Sequence, residues 1–247
     1  MLNRFSRTEL LLGEENMSKL AQSKIAIFGI GGVGSYVTEG LARCGIGEFI
    51  LIDSDDISLT NINRQIHALE TTIGQKKTLM MKERILAINP QAKVTTIEKL
   101  YTPESNFFNW DDNYTYIIDA VDDVKAKINL IVNANKHNLP IMSSMGTANK
   151  LDPQKFVITD IYKTHTCPLA RIMRKTLKQQ GIKKLKVLYS TEEPFTNYTV
   201  NFKENTSKDN SPASTRKQPL GSISFVPPIA GLMIAGEIVK DICQINR

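Results

Sequence analysis

The stretch Phe28-Gly29-Ile30-Gly31-Gly32-Val33-Gly34-Ser35-Tyr36 sets four glycines between an apolar run, Lys24 to Phe28, and a segment in which Tyr36, Val37, Leu41 and Cys44 recur at helical spacing. A short apolar run that stops at glycine reads as a buried parallel strand, and the periodic segment reads as a helix ended by Gly45. Gly29, Gly31 and Gly34 have G-x-G-x-x-G spacing. Gly29 permits a tight turn, Gly31 and Gly32 let backbone approach a phosphate, and Gly34 lets the helix close on the sheet, with the helix N-terminus favouring negative charge. This points to a nucleotide and leaves open which one.

The alternation continues. A second strand, 49–52, ends at Asp53 and completes a right-handed βαβ unit. A helix over 76–89 is stopped by Pro90, strands follow at 94–97 and 116–120, a helix at 124–138, and a fifth strand starts at 139. The fold class is therefore α/β, a Rossmann-like, doubly wound, mostly parallel sheet with helices on both faces. Beyond residue 150, strands at 156–161 and 185–189 flank a basic helix over 168–180, and a final helix over 229–243 is expected to pack on the sheet. The polar tract 191–217 predicts a mobile loop. The chain reads as a single domain, 1–247, with a nucleotide-binding half, 1–150, and a substrate-side half, 151–247.

Charge is uneven. Residues 1–160 hold 17 Lys and Arg against 19 Asp and Glu, whereas 161–247 hold 14 against 6. The basic third favours a polyanionic partner, with a solvated helix face as the competing reading. Cys44, Cys167 and Cys243 form no C-x-x-C pair, which argues against a disulfide framework or a four-cysteine zinc site and fits a reducing cytoplasm. The charged N-terminus does not read as a signal peptide. Gln218 to Gly236 is uncharged but interrupted by Pro219, Pro227 and Pro228, so a buried loop and core helix are favoured over a membrane span.

Asp53 stands where an acidic residue accepts from ribose hydroxyls in NAD and ATP proteins alike. The segment after it adds Asp55, Asn61, Asn63, Arg64 and Gln65 at the phosphate end of the expected pocket. Hydride transfer has no need of so many polar groups there; an arginine and amides suit a triphosphate whose charge must be neutralised before attack at the α-phosphorus. A solvated loop is the alternative. His67 and His165 have no second ligand at metal-binding spacing, and no G-x-S-x-G elbow surrounds Ser143 or Ser144.

"GIGGVGS", "LIDSDDISLTNINRQ", "IGQKK" and "IDAVDD", in this order, resemble the adenylation domain of ubiquitin-activating-type enzymes, the group that includes activators of the sulfur carriers for molybdopterin and thiamine synthesis. The resemblance implies ATP and Mg2+ as cofactors. It makes Asp53 the ribose carboxylate, Asn61, Arg64 and Gln65 phosphate ligands, Lys77 a phosphate-binding lysine for which the adjacent Lys76 is an alternative, and Asp122 the Mg2+ carboxylate. By residue logic alone, Asp122 reads equally as the N-cap of the helix from Val124. The family also places an N-terminal arginine in a neighbouring subunit's ATP site. Of Arg4 and Arg7, Arg7 matches better in position, and a homodimer follows.

Sulfur-carrier activators commonly hold zinc with two C-x-x-C pairs, which this chain lacks. "NINRQIHAL", "CPLARIMRK" and "GSISFVPPIAGLMIAGEIV" resemble instead the branch that dehydrates threonylcarbamoyladenosine in tRNA. That branch implies a ligase-like, adenylate-forming reaction on tRNA, not DNA, and leaves room for a cysteine desulfurase or sulfur carrier as partner. Arg171, Arg174, Lys175 and Lys178 share one face of the basic helix, with Ile172, Met173 and Leu177 on another, and form the expected tRNA surface. Cys167 reads as a thiol that accepts a carrier or sulfur or, more simply, as a small buried residue or one at a helix start. An adenylyltransferase for a ubiquitin-like carrier and a non-catalytic nucleotide-binding or sulfur-relay module remain the alternatives.

Overall fold

Parallel register brings three strand ends level: Phe28 of β1 (Lys24–Phe28) pairs with Ile52 of β2 (Glu48–Ile52) on one side and with Asp119 of β4 (Tyr116–Asp119) on the other. The computed structural model describes residues 2–195 and 220–245. With β3 (Lys93–Ile97), β5 (Ile141–Ser144), β6 (Phe156–Asp160) and β7 (Lys186–Ser190), these strands form a seven-stranded sheet in the order β3-β2-β1-β4-β5-β7-β6. Only β6 runs antiparallel, beside β7. Strand order reverses between β1 and β4, the switch point outside which α/β sheets bind ligands. The sheet continues across residue 150, since β7 pairs with β5.

The helices are α1 (Ser6–Leu12), α2 (Glu14–Gln22), α3 (Gly34–Arg43), α4 (Lys77–Ile88), α5 (Val124–Lys136), α6 (Pro168–Gln179) and α7 (Val226–Ile242). The two N-terminal helices have no counterpart in the sequence expectation. Helix α7 starts earlier than the periodicity predicts, because Pro227 and Pro228 occupy its first turn, where a missing N–H costs nothing. It packs chiefly along α3 and only in part on the sheet: a Cβ on Gly40 would lie 2.8 Å from Ala235, and one on Gly231 would lie 2.5 Å from the Val33 carbonyl oxygen. Of the tract predicted as a mobile loop, Thr191 and Phe195 bond back to Lys155 and Asn149, and residues 196–219 lie outside the described residues. Among the described residues no helix is long and apolar enough to cross a membrane.

A polar seam lies where α3 meets α4. Buried Glu39 on α3 accepts from Arg84 of α4 at 2.6 and 3.1 Å and from Arg43 at 2.7 Å. Ser35 and Thr78, in the first turns of these helices, and Gln65 and His67 between them each bury a side-chain polar atom that has no partner among the described residues. Burial, then the charges of Lys77 and Arg84, push the His67 imidazole down to about 4.

Two stability predictions follow from this packing. A Cβ on Gly34 would stand 1.9 Å from the Gly29 carbonyl oxygen, whereas one on Gly236 meets nothing within 4 Å. Urea unfolding should therefore show Gly34→Ala lower in stability by about 3 kcal/mol and Gly236→Ala higher by up to about 1 kcal/mol. His67 stays neutral when folded, while the unfolded chain takes up a proton below its ordinary value of about 6.5. Protonation thus favours the unfolded state, and stability falls as pH drops from about 6.5 toward 4, by up to about 3 kcal/mol. His67→Met should remove that component, flattening the dependence of unfolding free energy on pH in this window.

Candidate active site

A cavity of about 600 Å³ opens at the C-terminal ends of β1, β2, β4 and β5. Its floor is the glycine loop: Gly29, Gly31 and Gly32 line it, while Gly34 sits buried beneath, closing α3 on the turn. Gly29 has φ +87°, a conformation L side chains rarely adopt, and a Cβ there would lie 2.6 Å from the Ala120 carbonyl oxygen. A Cβ on Gly32 would meet Pro227 of α7 at 3.0 Å and the Arg64 stem at 3.3 Å, so these side chains pack over the loop.

The wall beyond β2 carries the polar set. Asp53 accepts from the Ile30 amide at 2.7 Å and from the Asp55 amide at 2.9 Å, tying the glycine loop to the segment after β2. Asp55, Asn61, Arg64, Gln65 and Lys77 also line the cavity. Asn61 is buried and accepts from the Ser58 amide at 3.1 Å; Gln65, 5% exposed, has a buried side-chain oxygen with no partner among the described residues. Arg64 is held by the Thr60 carbonyl and the Asn63 amide oxygen, both at 2.9 Å, and Asn63 in turn donates to the Ser222 carbonyl at 3.0 Å. Lys77, at the first position of α4, is 6% exposed and paired with Asp55 at 2.6 Å, rather than free to fold toward a ligand. Lys76 does not line the cavity; its ammonium is paired with Asp56 at 2.7 Å, which raises it above the ordinary lysine value.

Asp122 lies across the cavity, exposed and without a hydrogen-bond or ion-pair partner among the described residues. The capping role that residue logic offered it belongs to Asp123, which accepts from the Ala126 amide at 2.8 Å. Behind this turn is a network not foreseen from sequence: Asp119 and Lys127, both with fully buried side chains, pair at 3.0 Å, and Ser143 donates to the other Asp119 oxygen. The available signal was a lysine on the buried stripe of α5, among Ala126, Leu130, Ile131 and Ala134. Another wall, also unforeseen, runs from Ser144 at the end of β5 to Ala148 and takes in Leu169 in the first turn of α6.

Other expected residues lie outside the cavity. Arg7 is exposed on α1 beside Leu10 and Leu11, which are 89% and 81% exposed, whereas Arg4 donates to the Ile88 carbonyl at 2.9 Å. On α6, Arg171, Lys175 and Lys178 are exposed, but Arg174 is half-buried and donates to the Thr164 carbonyl at 2.9 Å. The apolar face is Ala170, Met173 and Leu177; Ile172, placed with them by periodicity, is 48% exposed. Cys167 is buried and caps α6, its sulfur accepting from the Ala170 amide at 3.5 Å, as a helix-start residue does. His165 is exposed, its ring Nδ1 within 2.9 Å of the Thr166 hydroxyl.

The cavity therefore combines a cradle of backbone amides, three cations, Arg64, Lys77 and Lys99, and an unpaired carboxylate, a set whose chemistry suits a polyphosphate. The ThiF family model matches residues 5–247. A tRNA threonylcarbamoyladenosine dehydratase of Bacillus subtilis is 43% identical over 245 residues, 99% of this chain and 96% of its own. One of Escherichia coli is 42% identical over 175 residues, 71% of this chain and 65% of its own. A crystal structure of the E. coli enzyme, TcdA, in complex with ATP superposes with a TM-score of 0.82 at 32% identity, covering 98% of this chain and 94% of that one. Sequence, sheet topology and cavity lead to one assignment: the chain belongs to the ThiF family.

Proposed function

We infer that this chain is an ATP-dependent tRNA threonylcarbamoyladenosine dehydratase. The observation that carries the reading is the single cavity in which Gly29 to Gly32, Arg64, Lys77 and Asp122 meet, in a chain aligned nearly end to end with a dehydratase of that name. The threonylcarbamoyl carboxylate of the modified adenosine attacks the α-phosphorus of ATP, forming an acyl adenylate and releasing pyrophosphate. The neighbouring carbamoyl group then closes a five-membered ring and expels AMP, so that one water is lost overall. Ring closure gains from proximity, and no protein nucleophile is required.

The residues divide this work. Asp53 binds the ribose, while the glycine-loop amides, Asn61 and Gln65 contact phosphate. Arg64 and Lys77 neutralise charge as the pentacoordinate phosphorus forms. Asp55 holds Lys77 at the wall until phosphate competes for it. The unpaired Asp122 carboxylate fits Mg2+, which takes one or two carboxylates beside phosphate oxygens and, when bound, screens the triphosphate. Residues 1–150 supply the ATP half. The wall of residues 144–148 and Leu169 receives the nucleoside, and the exposed cations Arg171, Lys175 and Lys178 lead tRNA phosphates to the rim. Two chains pair through α1, where exposed Leu10 and Leu11 gain cover and Arg7 reaches the partner's cavity. The enzyme works in the cytoplasm.

Incubation with ATP, Mg2+ and tRNA bearing threonylcarbamoyladenosine, followed by nucleoside mass spectrometry, should show loss of one water, with a KM for tRNA that rises with salt while that for ATP holds. Pyrophosphate exchange driven only by a carrier ending in Gly-Gly would replace this reading with carrier activation. Asp122→Ala should lower turnover by roughly 100-fold or more with an unchanged circular dichroism spectrum. Mixing inactive Arg7→Ala and Asp122→Ala chains should restore turnover, because a mixed dimer holds one intact site; no recovery would place Arg7 outside the neighbouring site.

A further inference from the structure

Asp119 and Lys127 lie behind the cavity, with both side chains at 0% exposure. Their bonds converge on one residue. Lys127 Nζ donates to the Val121 carbonyl at 2.9 Å and to Asp119 Oδ1 at 3.0 Å, and the Val121 amide donates to that same oxygen at 3.3 Å. Both backbone polar groups of Val121 are thus held, and the Val121 carbonyl belongs to the peptide that leads into Asp122. On the far side, Asp123 is fastened as the cap of α5. Asp122 is gripped before and after, yet its own carboxylate stays unpaired among the described residues. A fully buried ion pair is a poor source of stability, since apolar residues of the same volume serve as well or better. Its partners here say what else it does.

We propose that Lys127 and Asp119 are positioning residues that fix the Val121–Asp122 peptide and so present the Asp122 carboxylate to the magnesium that accompanies the nucleotide. This rests on the reading of Asp122 given above. Outer groups that orient a metal ligand act on metal affinity. Loss of the pair should therefore weaken the magnesium-dependent part of nucleotide binding and leave the part due to the glycine loop.

The test is calorimetric titration of ATP into the full chain, with Mg2+ and again with EDTA, beside thermal melts. The double variant Asp119→Asn/Lys127→Met leaves no buried charge unpaired. It should bind ATP in EDTA as the parent does and lose the tightening by Mg2+ by about tenfold or more. Asp119→Asn/Lys127→Gln is read the same way if the first pair does not fold. Ser143→Ala removes the donor to the other Asp119 oxygen but leaves Lys127 on Val121; it should lower the melting temperature and keep the Mg2+ effect. Wild-type Mg2+ tightening in the double variant, or equal loss in Ser143→Ala, would overturn the proposal. Asp122→Asn separates the two ideas: if it keeps the tightening, the reading of Asp122 itself fails. If it loses the tightening while the double variant keeps it, only the positioning role fails.

Discussion

The site depends on a contact that no side chain could survive: the Gly34 backbone pressed on the Gly29 carbonyl, with Gly29 pressed on Ala120. That contact lets α3 begin directly above the end of β1, with its N-terminal amides at the cavity floor, and seats the turn after β4 against the turn after β1. Parallel register makes these turns level with the end of β2, so Gly29, Asp53 and Ala120 meet at one sheet edge. Residues distant in sequence reach the cavity only because this edge is shared. Helix α7 closes the arrangement from above, with Pro227 over Gly32 and Gly231 against the backbone of α3.

Electrostatics follow the same division between framework and site. Asp53 spends its carboxylate partly on the Ile30 and Asp55 amides, and Lys77 is paired with Asp55, so these charges shape the cavity before any ligand arrives. Preorganised charge of this kind needs little rearrangement when new charge develops. Asp122, whose neighbours are all engaged, is the carboxylate left available. The larger groove, about 840 Å³ between α1, α2 and the starts of β2 and β3, gathers none of this set.

Much of this was legible in the sequence because each strand of the nucleotide half ends in a strong signal: glycine after β1, Asp53 after β2, "DAVDD" around the end of β4. Local periodicity placed their boundaries within a few residues. Long-range pairing was not legible. A helix that starts at Val124 makes the preceding Asp123, and not Asp122, its cap, a local signal left unread in the sequence, whereas Lys76 at the cap of α4 and Lys77 at its first position are separated only by the directions in which they point. Ile172 shows the same limit, since periodicity fixes spacing on a helix but not which arc meets the core. Arg174, read as a surface cation, ties the middle of α6 back to Thr164, ahead of the helix. The buried Asp119–Lys127 pair escaped because its meaning lies in the Val121 peptide that it holds.

The central claim is that this cavity splits ATP at the α-phosphorus on behalf of a tRNA carboxylate, and the nucleotide product tests it most directly. With ATP labelled in the adenine and in the γ-phosphate, turnover on tRNA bearing threonylcarbamoyladenosine should yield AMP and labelled pyrophosphate, one of each for every nucleoside dehydrated. Release of ADP and inorganic phosphate, or cleavage that proceeds equally without the modified tRNA, would contradict it.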